Sequence, residues 1–599
     1  MIGRSTDTLP PGLDPIFEGF AIEMARPRQK QKLRQIIAQE LGNNWWITAF
    51  GDTATDFDVT LKQANMRVDQ AWELAYRLRA RPGIVYAEPI FAAAVSNRLD
   101  WNQPPVTRDG APEGRIEPGA ALPPLCLESE PLPASDDPEW SLSDIRVFQA
   151  WQRFFSDPQH VPGEGVLVGH PDTGYILHPE IVANLSDDGY DFVQNDEDAR
   201  DELQQGPLQN PGHGTATASV IVSPRGMPRG STTPPAVTGV APGARLIPIR
   251  VSPSVVLLST LNLARAIEYA ARRGVHVISI SMGGIFSWRL RKAITFAQHR
   301  GIIVLAAAGN CVPFVVWPAA YDEVIAVAAS NADHETWRGS SRGRAVDVTA
   351  PGESVWHAGV DLAAGQTRFT VGRGSGTSYA VASVAGVAAL WLARHGRDQL
   401  TQRYGAEKIP FIFNQILRNT CTPMTGPTWI PGEFGTGLVN AEAVLDAPLP
   451  AVSTSAIPAP AHFLQPHVTL DAGGLVTFAH LFEQSLHSHL GRGAMANGAV
   501  HELPLEAHLA ELLNSTEAQL PSRLKEIGQE LAFHFVANPS VYRQFEASLA
   551  HRRIPTVGEL PAARTADDQE RTRALLISAG ASPLLRAQLE PTAHPIDPV

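Results

Sequence analysis

Four polar residues stand where a folded chain can bring them together for acyl transfer. Ser378 lies in Gly376-Thr377-Ser378-Tyr379-Ala380, where a glycine-rich turn (Gly372, Gly374, Gly376) runs into small apolar residues with no helix breaker. The pattern predicts a serine on the first turn of a buried helix, whose N-terminus favours negative charge developing beside it. A serine hydroxyl needs a base to take its proton. The base needs a carboxylate to orient it, and the oxyanion formed on attack needs a donor. Asp172 follows the apolar run Val166-Leu167-Val168, in His170-Pro171-Asp172-Thr173-Gly174. His213 sits between glycines in Pro211-Gly212-His213-Gly214-Thr215, and Asn310 ends the run Ala306-Ala307-Ala308-Gly309. Singly, each also fits a cap or a polar core residue. Only the set of four points to chemistry.

The elements that must position these residues follow from periodicity. Val166-Leu167-Val168, Leu246-Ile247-Pro248-Ile249, Val275-His276-Val277-Ile278 and Ile302-Ile303-Val304-Leu305 are short, nearly continuous apolar runs. Helical patterns lie between them, such as the one carrying Leu261, Ala264, Ile267 and Ala271. This alternation predicts a parallel sheet covered on both faces, with sites at the carboxyl ends of its strands. Before it, residues 17 to 91 read as a small α+β domain of βαββαβ order, with helices around Leu33–Leu41 and Ala71–Leu78. After it, Leu505, Leu509, Leu512 and Leu513, then Leu524, Ile527, Leu531 and Phe535, have helical spacing. Two proline-rich stretches, with nine prolines between Pro104 and Pro138 and a second run from Pro448 to Pro466, read as linkers. The expected organisation is 1–95, a small α+β domain; 96–138, linker; 139–447, the α/β domain; 448–466, linker; and 467–599, a helical domain.

At 599 residues the chain exceeds what one core supports. A formal net charge of −13 disfavours a nucleic-acid partner. No apolar run approaches the length of a membrane span, and residues 1–30 carry charges and prolines where a secretory signal needs an apolar stretch, so a cytoplasmic location is favoured. Three cysteines (Cys126, Cys311, Cys421) cannot form a disulfide framework, and Cys311 reads as a buried, inert thiol.

Residues 140 to 446 resemble a subtilisin-type serine peptidase domain: the motifs around Asp172, His213, Asn310 and Ser378 stand in that family's chain order. Further segments resemble it too: Gly239-Val240-Ala241-Pro242-Gly243-Ala244, Ser281-Met282-Gly283-Gly284, Trp317-Pro318-Ala319-Ala320 and Gly435-Thr436-Gly437-Leu438-Val439-Asn440. The resemblance implies a subtilisin-like doubly wound parallel sheet and an endopeptidase. Ser378 would be its nucleophile, His213 the base, Asp172 the orienting carboxylate and Asn310 the oxyanion donor. It implies that Thr377 is a supporting hydroxyl and that Ser281-Met282-Gly283 pairs with extended substrate. Ala307-Ala308-Gly309 would wall the primary specificity pocket, with Val316 at its base. The N-terminal ferredoxin-like domain, ending in Gly83-Ile84-Val85-Tyr86-Ala87-Glu88-Pro89, resembles the family's inhibitory propeptide. Autoprocessing and an intramolecular inhibitor are therefore expected, with protein or peptide as substrate.

Other readings stay open at this level. Ala382 and Ser383 stand where the family has proline and histidine, which raises peptide ligation as an alternative; a catalytically silent regulatory scaffold is a third. No cofactor is required. Asn195-Asp196-Glu197-Asp198 with Asp201, and Glu180, offer oxygen ligands that would suit Ca2+, or else form a solvated acidic loop. His480, His487 and His489 read as a wet helix face. The helical region at 467–599 is open to a protein partner.

Overall fold

A computed structural model describes residues 13–50, 55–61, 66–95, 136–157, 159–205, 209–224, 237–257, 260–284, 286–312, 314–362, 367–430, 432–451, 504–550 and 565–590. Most of both proline-rich stretches, Cys126 and the three histidines at 480–489 lie outside the described residues. By contact the chain divides into two compact units, Met1–Ala121 with His467–Val599, and Leu122–Pro466.

The first unit opens with β1 (Leu13–Met24), α1 (Lys30–Leu41), β2 (Trp45–Phe50), β3 (Asp56–Leu61), α2 (Val68–Arg79) and β4 (Ile84–Val95). This is the expected βαββαβ order. The strands pair antiparallel in the order β2-β3-β1-β4, with Phe20 opposite Val59. The helical period explains which residues are buried: Leu33, Ile36 and Ile37 on α1, and Ala71, Trp72, Ala75 and Leu78 on α2.

The second unit runs through α3 (Trp140–Asp144), α4 (Val147–Phe154), β5 (Leu167–Asp172), β6 (Tyr190–Asp191), α5 (His213–Val222), β7 (Arg245–Arg250), β8 (Val256–Leu257) and α6 (Leu261–Arg272). It continues with β9 (Val277–Ile280), β10 (Gly283–Gly284), α7 (Trp288–His299), β11 (Ile303–Ala307), β12 (Ile325–Ser330) and β13 (Val348–Pro351). A hairpin of β14 (Val355–Asp361) and β15 (Arg368–Gly374) then leads into α8 (Thr377–His395). The unit closes with α9 (Arg397–Tyr404), α10 (Ile409–Asn419) and α11 (Ala441–Asp446).

Seven strands form one parallel sheet in the order β13-β12-β11-β9-β5-β7-β6. Its central strands are buried along their whole length, which is why they read as unbroken apolar runs. Helix α8 packs against that sheet and against α5. Every residue from Thr377 to Leu392 is buried. Small residues allow the approach: a Cβ on Gly386 would collide with Val240. The expectation that no apolar run nears membrane-span length fails at α8. It is long and apolar enough to cross a membrane, but it is the core helix of this unit.

The chain returns to the first unit through α12 (Pro504–Leu512), α13 (Leu520–Ala537), α14 (Pro539–Ala550), α15 (Thr565–Ser578) and α16 (Pro583–Leu589). The leucines read as helix faces, Leu505, Leu509, Leu512, Leu524, Ile527 and Leu531, are all buried there.

Candidate active site

Each candidate residue stands at the end of a strand or the start of a helix. Asp172 is the last residue of β5, His213 the first of α5, and Ser378 the second of α8; Asn310 follows β11. Gly212, at φ 77, makes the left-handed turn that starts α5 with His213 on its first turn.

His213 Nδ1 lies 2.7 Å from Asp172 Oδ1. An ionised carboxylate only accepts, so Nδ1 carries the proton and Nε2 keeps its lone pair. Asp172 is fully buried and also accepts from Thr173 N–H at 2.7 Å. Burial pushes its carboxyl upward, but the charge and hydrogen bond of His213, then His170 and Thr173 N–H, outweigh that and hold it below the usual aspartate range. The His213 side chain keeps 14% exposure, so the ring is not sealed in the core.

Asn310 Oδ1 accepts from Thr377 N–H (2.9 Å) and Thr377 Oγ1 (2.8 Å), and Thr377 Oγ1 in turn accepts from Gly309 N–H at 3.2 Å. With its oxygen held, the amide's Nδ2 is the free donor. A Cβ placed on Gly376 would lie 3.3 Å from Asn310 Nδ2 and 3.7 Å from Ser378 N. Both donors therefore border the space that a Gly376 side chain would take, beside Ser378. Only glycine leaves that space open.

Ser378 Oγ donates to Ser281 O at 3.2 Å, and Ser281 Oγ donates to Ser378 O at 3.2 Å. Among the described residues no hydrogen bond joins Ser378 to His213. The helices that carry the two halves, α5 and α8, pack against each other. Tyr379, next to the serine, is raised above its ordinary pKa by burial and then by the charge of Asp172. It stacks on His357 at 4.9 Å and 16°. Burial, and then the charge of His213, depress His357, opposed by its hydrogen bond to Ala358 O.

The pocket-lining candidates converge on one side chain. A Cβ on Gly283 would collide with Val316 Cγ2, and one on Gly309 would lie 3.0 Å from Val316 Cγ1. Val316 N–H donates to Ala308 O at 2.9 Å, and Ala307, Ala308 and Met282 are buried. At the segment expected to pair with substrate, Gly283 N–H already donates to Val255 O (3.0 Å) and Gly284 N–H to Trp317 O (2.8 Å).

Sequence reasoning missed Asp201 as a positioning residue. Its Oδ2 accepts from Thr173 Oγ1 (3.0 Å) and Gly212 N–H (2.8 Å), clamping the neighbours of Asp172 and His213 together. Its place in an acidic run suggested a calcium ligand or a solvated loop instead. Asp198 in that run is paired with Arg200, and Asp191 accepts from buried Arg250 at 2.8 Å. Glu180 accepts from Ser223 Oγ (2.8 Å) and Val237 N–H (3.2 Å). No group of three or more His, Cys, Asp or Glu among the described residues is arranged to hold a metal ion. Cys311 corrects another expectation: it is disulfide-bonded and offers no thiol. Ala382 and Ser383 are buried within α8, Ser383 Oγ donating to Tyr379 O at 3.1 Å.

The subtilase family model matches residues 163–437. Thermitase from Thermoactinomyces vulgaris is 33% identical over 266 residues, 44% of this chain and 85% of that one. Subtilisin Savinase from Lederbergia lenta is 30% identical over 306 residues, 51% of this chain and 97% of that one. The solved structure of fervidolysin from Fervidobacterium pennivorans, 21% identical, shares the fold at a TM-score of 0.50 over 73% of this chain and 62% of its own. With its doubly wound sheet and these relatives, the chain belongs to the subtilase family of subtilisin-like serine peptidases.

Proposed function

We propose that Ser378, His213 and Asp172 hydrolyse peptide bonds as a nucleophile, base and orienting carboxylate, with Asn310 Nδ2 and Ser378 N–H receiving the oxyanion. The observation that carries this reading is the 2.7 Å hydrogen bond from His213 Nδ1 to buried Asp172, which leaves Nε2 as the base. The Ser378 hydroxyl turns from Ser281 O to His213 Nε2, gives up its proton and attacks the carbonyl carbon. Charge moves onto the carbonyl oxygen, in the space that Gly376 leaves open. His213 then returns the proton to the leaving amine, and water repeats the sequence on the acyl-enzyme.

Val316, set between Gly283 and Gly309, fills part of the pocket depth, and no acidic group stands among its lining candidates. Small or medium apolar P1 residues fit, and a basic one would lose its hydration without a partner. Ala382 and Ser383 lie in the helix core, so hydrolysis rather than ligation is the reading. The N-terminal domain acts as an inhibitor released or rearranged by self-cleavage in the stretch 96–138. Its order and its closing segment support this.

Incubating the protein with a peptide library decides among hydrolysed products, ligated products or neither. Fresh wild-type protein should also show a new N-terminus between about 92 and 138, and Ser378→Ala should stay full length. An intact, fully active chain would show that the domain is not a removable inhibitor.

A further inference from the structure

The two ends of the chain share a core. Phe91 of β4 stacks on Phe533 of α13, with ring centroids 4.8 Å apart at 30°, and Trp72 of α2 packs on the same Phe533 ring at 5.9 Å. All three rings are buried. A polar layer surrounds them. Arg79 Nη2 donates to Gln529 Oε1 at 2.8 Å, and Gln529 Nε2 donates to the Glu88 carboxylate.

Glu530 sets the geometry. It is wholly buried and accepts from Ser582 N–H (2.6 Å) and Ser582 Oγ (2.8 Å), at the cap of α16. Its other donor comes from the opposite end of the chain: Tyr76 OH, on α2, at 2.8 Å. A buried carboxylate is tolerated only when donors surround it, so the C-terminal helices are complete only with α2 in place. Buried aromatics at the centre with a hydrogen-bonded rim are the anatomy of a lasting interface.

We propose that the C-terminal helices are a clamp for the N-terminal domain, retaining it by these contacts after the chain between them and it is cut. The partner of the region 504–590 is then this protein's own first domain. A break within 96–138 would separate that domain covalently without freeing it. The inference holds whether or not the domain inhibits the enzyme, and its test reads retention rather than activity.

In the full-length Ser378→Ala chain, one recognition site for an added protease is placed within 96–135 and another within 452–503, with an affinity tag at the N-terminus. After both cuts, capture through the tag should bring down the C-terminal piece. Phe533→Ala should release at least about tenfold more of it, in keeping with loss of a central aromatic anchor. Because Phe533→Ala can unfold the helices, Gln529→Ala serves beside it. This variant removes the Gln529 hydrogen bonds, those to Arg79 and Glu88 among them, and release should rise by a smaller factor. If the C-terminal piece washes away from the unaltered interface, the proposal is overturned. It is overturned equally if both variants leave retention unchanged, since the piece would then be held through the peptidase unit.

Discussion

Asp172 with His213 and Glu530 with His534 are both carboxylate–histidine pairs, one in each unit of the chain. Both carboxylates are buried and both accept hydrogen bonds from neighbouring donors. The histidines differ. His213 donates to Asp172 at 2.7 Å and keeps part of its side chain exposed. His534 is wholly buried, stands 3.6 Å from Glu530 one helical turn away, and neither of its ring nitrogens has a hydrogen-bond partner among the described residues. The pair alone therefore does not make a catalytic site. In the proposed mechanism, what separates the two is reach to solvent on the histidine's far side, with Ser378 and the Asn310 amide brought in by separate elements.

The largest effect should follow from removing the proposed nucleophile. Ser378→Ala should lower kcat by about 10⁶, the size of the loss in subtilisin itself, while thermal stability changes little because one oxygen is removed. Labelling by a fluorophosphonate should vanish with it. Near-wild-type turnover would erase the distinction between the two pairs. Next comes Asn310→Ala, at about 10²–10³ in kcat, again the subtilisin figure, with KM nearly unchanged because the oxyanion exists only along the reaction path. A loss confined to KM would move Asn310 from oxyanion donor to substrate binding.

The pocket should respond more modestly. Val316→Gly deletes the side chain lodged between Gly283 and Gly309. It should raise the ratio of kcat/KM for Phe over Ala at P1 by about tenfold or more, since each methylene of room is worth about 10–200-fold. An unchanged ratio, or a wild-type preference for Arg or Lys, would show that Val316 is not the base of the pocket.

The peptidase unit was legible in the sequence because its determinants are local. Glycine turns, buried strands and polar residues at strand ends each fall within a few positions of Asp172, His213, Asn310 and Ser378. Asp201 was not legible: it acts by closing a loop onto Thr173 and Gly212, and in the sequence it only extends an acidic run. Nor was the joining of the chain's ends. Tyr76 and Glu530 lie 454 positions apart, and neither Tyr76 nor Phe533 departs from an ordinary amphipathic helix pattern. Periodicity says which face is buried, not what buries it. One expectation failed: no run was read as long enough to cross a membrane, yet α8 is, because the core of a large sheet asks for the same residues.

The smallest effect belongs to the second pair. His534→Leu should leave kcat and KM unchanged, because His534 belongs to the unit that holds no candidate catalytic group. Stability should stay level or rise. A buried polar group without a partner costs about 1–3 kcal/mol, and leucine fills a similar volume without that cost. Against this stands the attraction of a ring nitrogen 3.6 Å from Glu530, but that carboxylate keeps its donors from Tyr76 and Ser582. The balance favours a gain of about 1 kcal/mol or less, read from urea unfolding of the full chain. A loss above about 2 kcal/mol would reveal a true ion pair. Removing one partner of a buried pair strands the other, and Glu530 and His534 would then be a unit that the three hydrogen bonds to Glu530 do not replace.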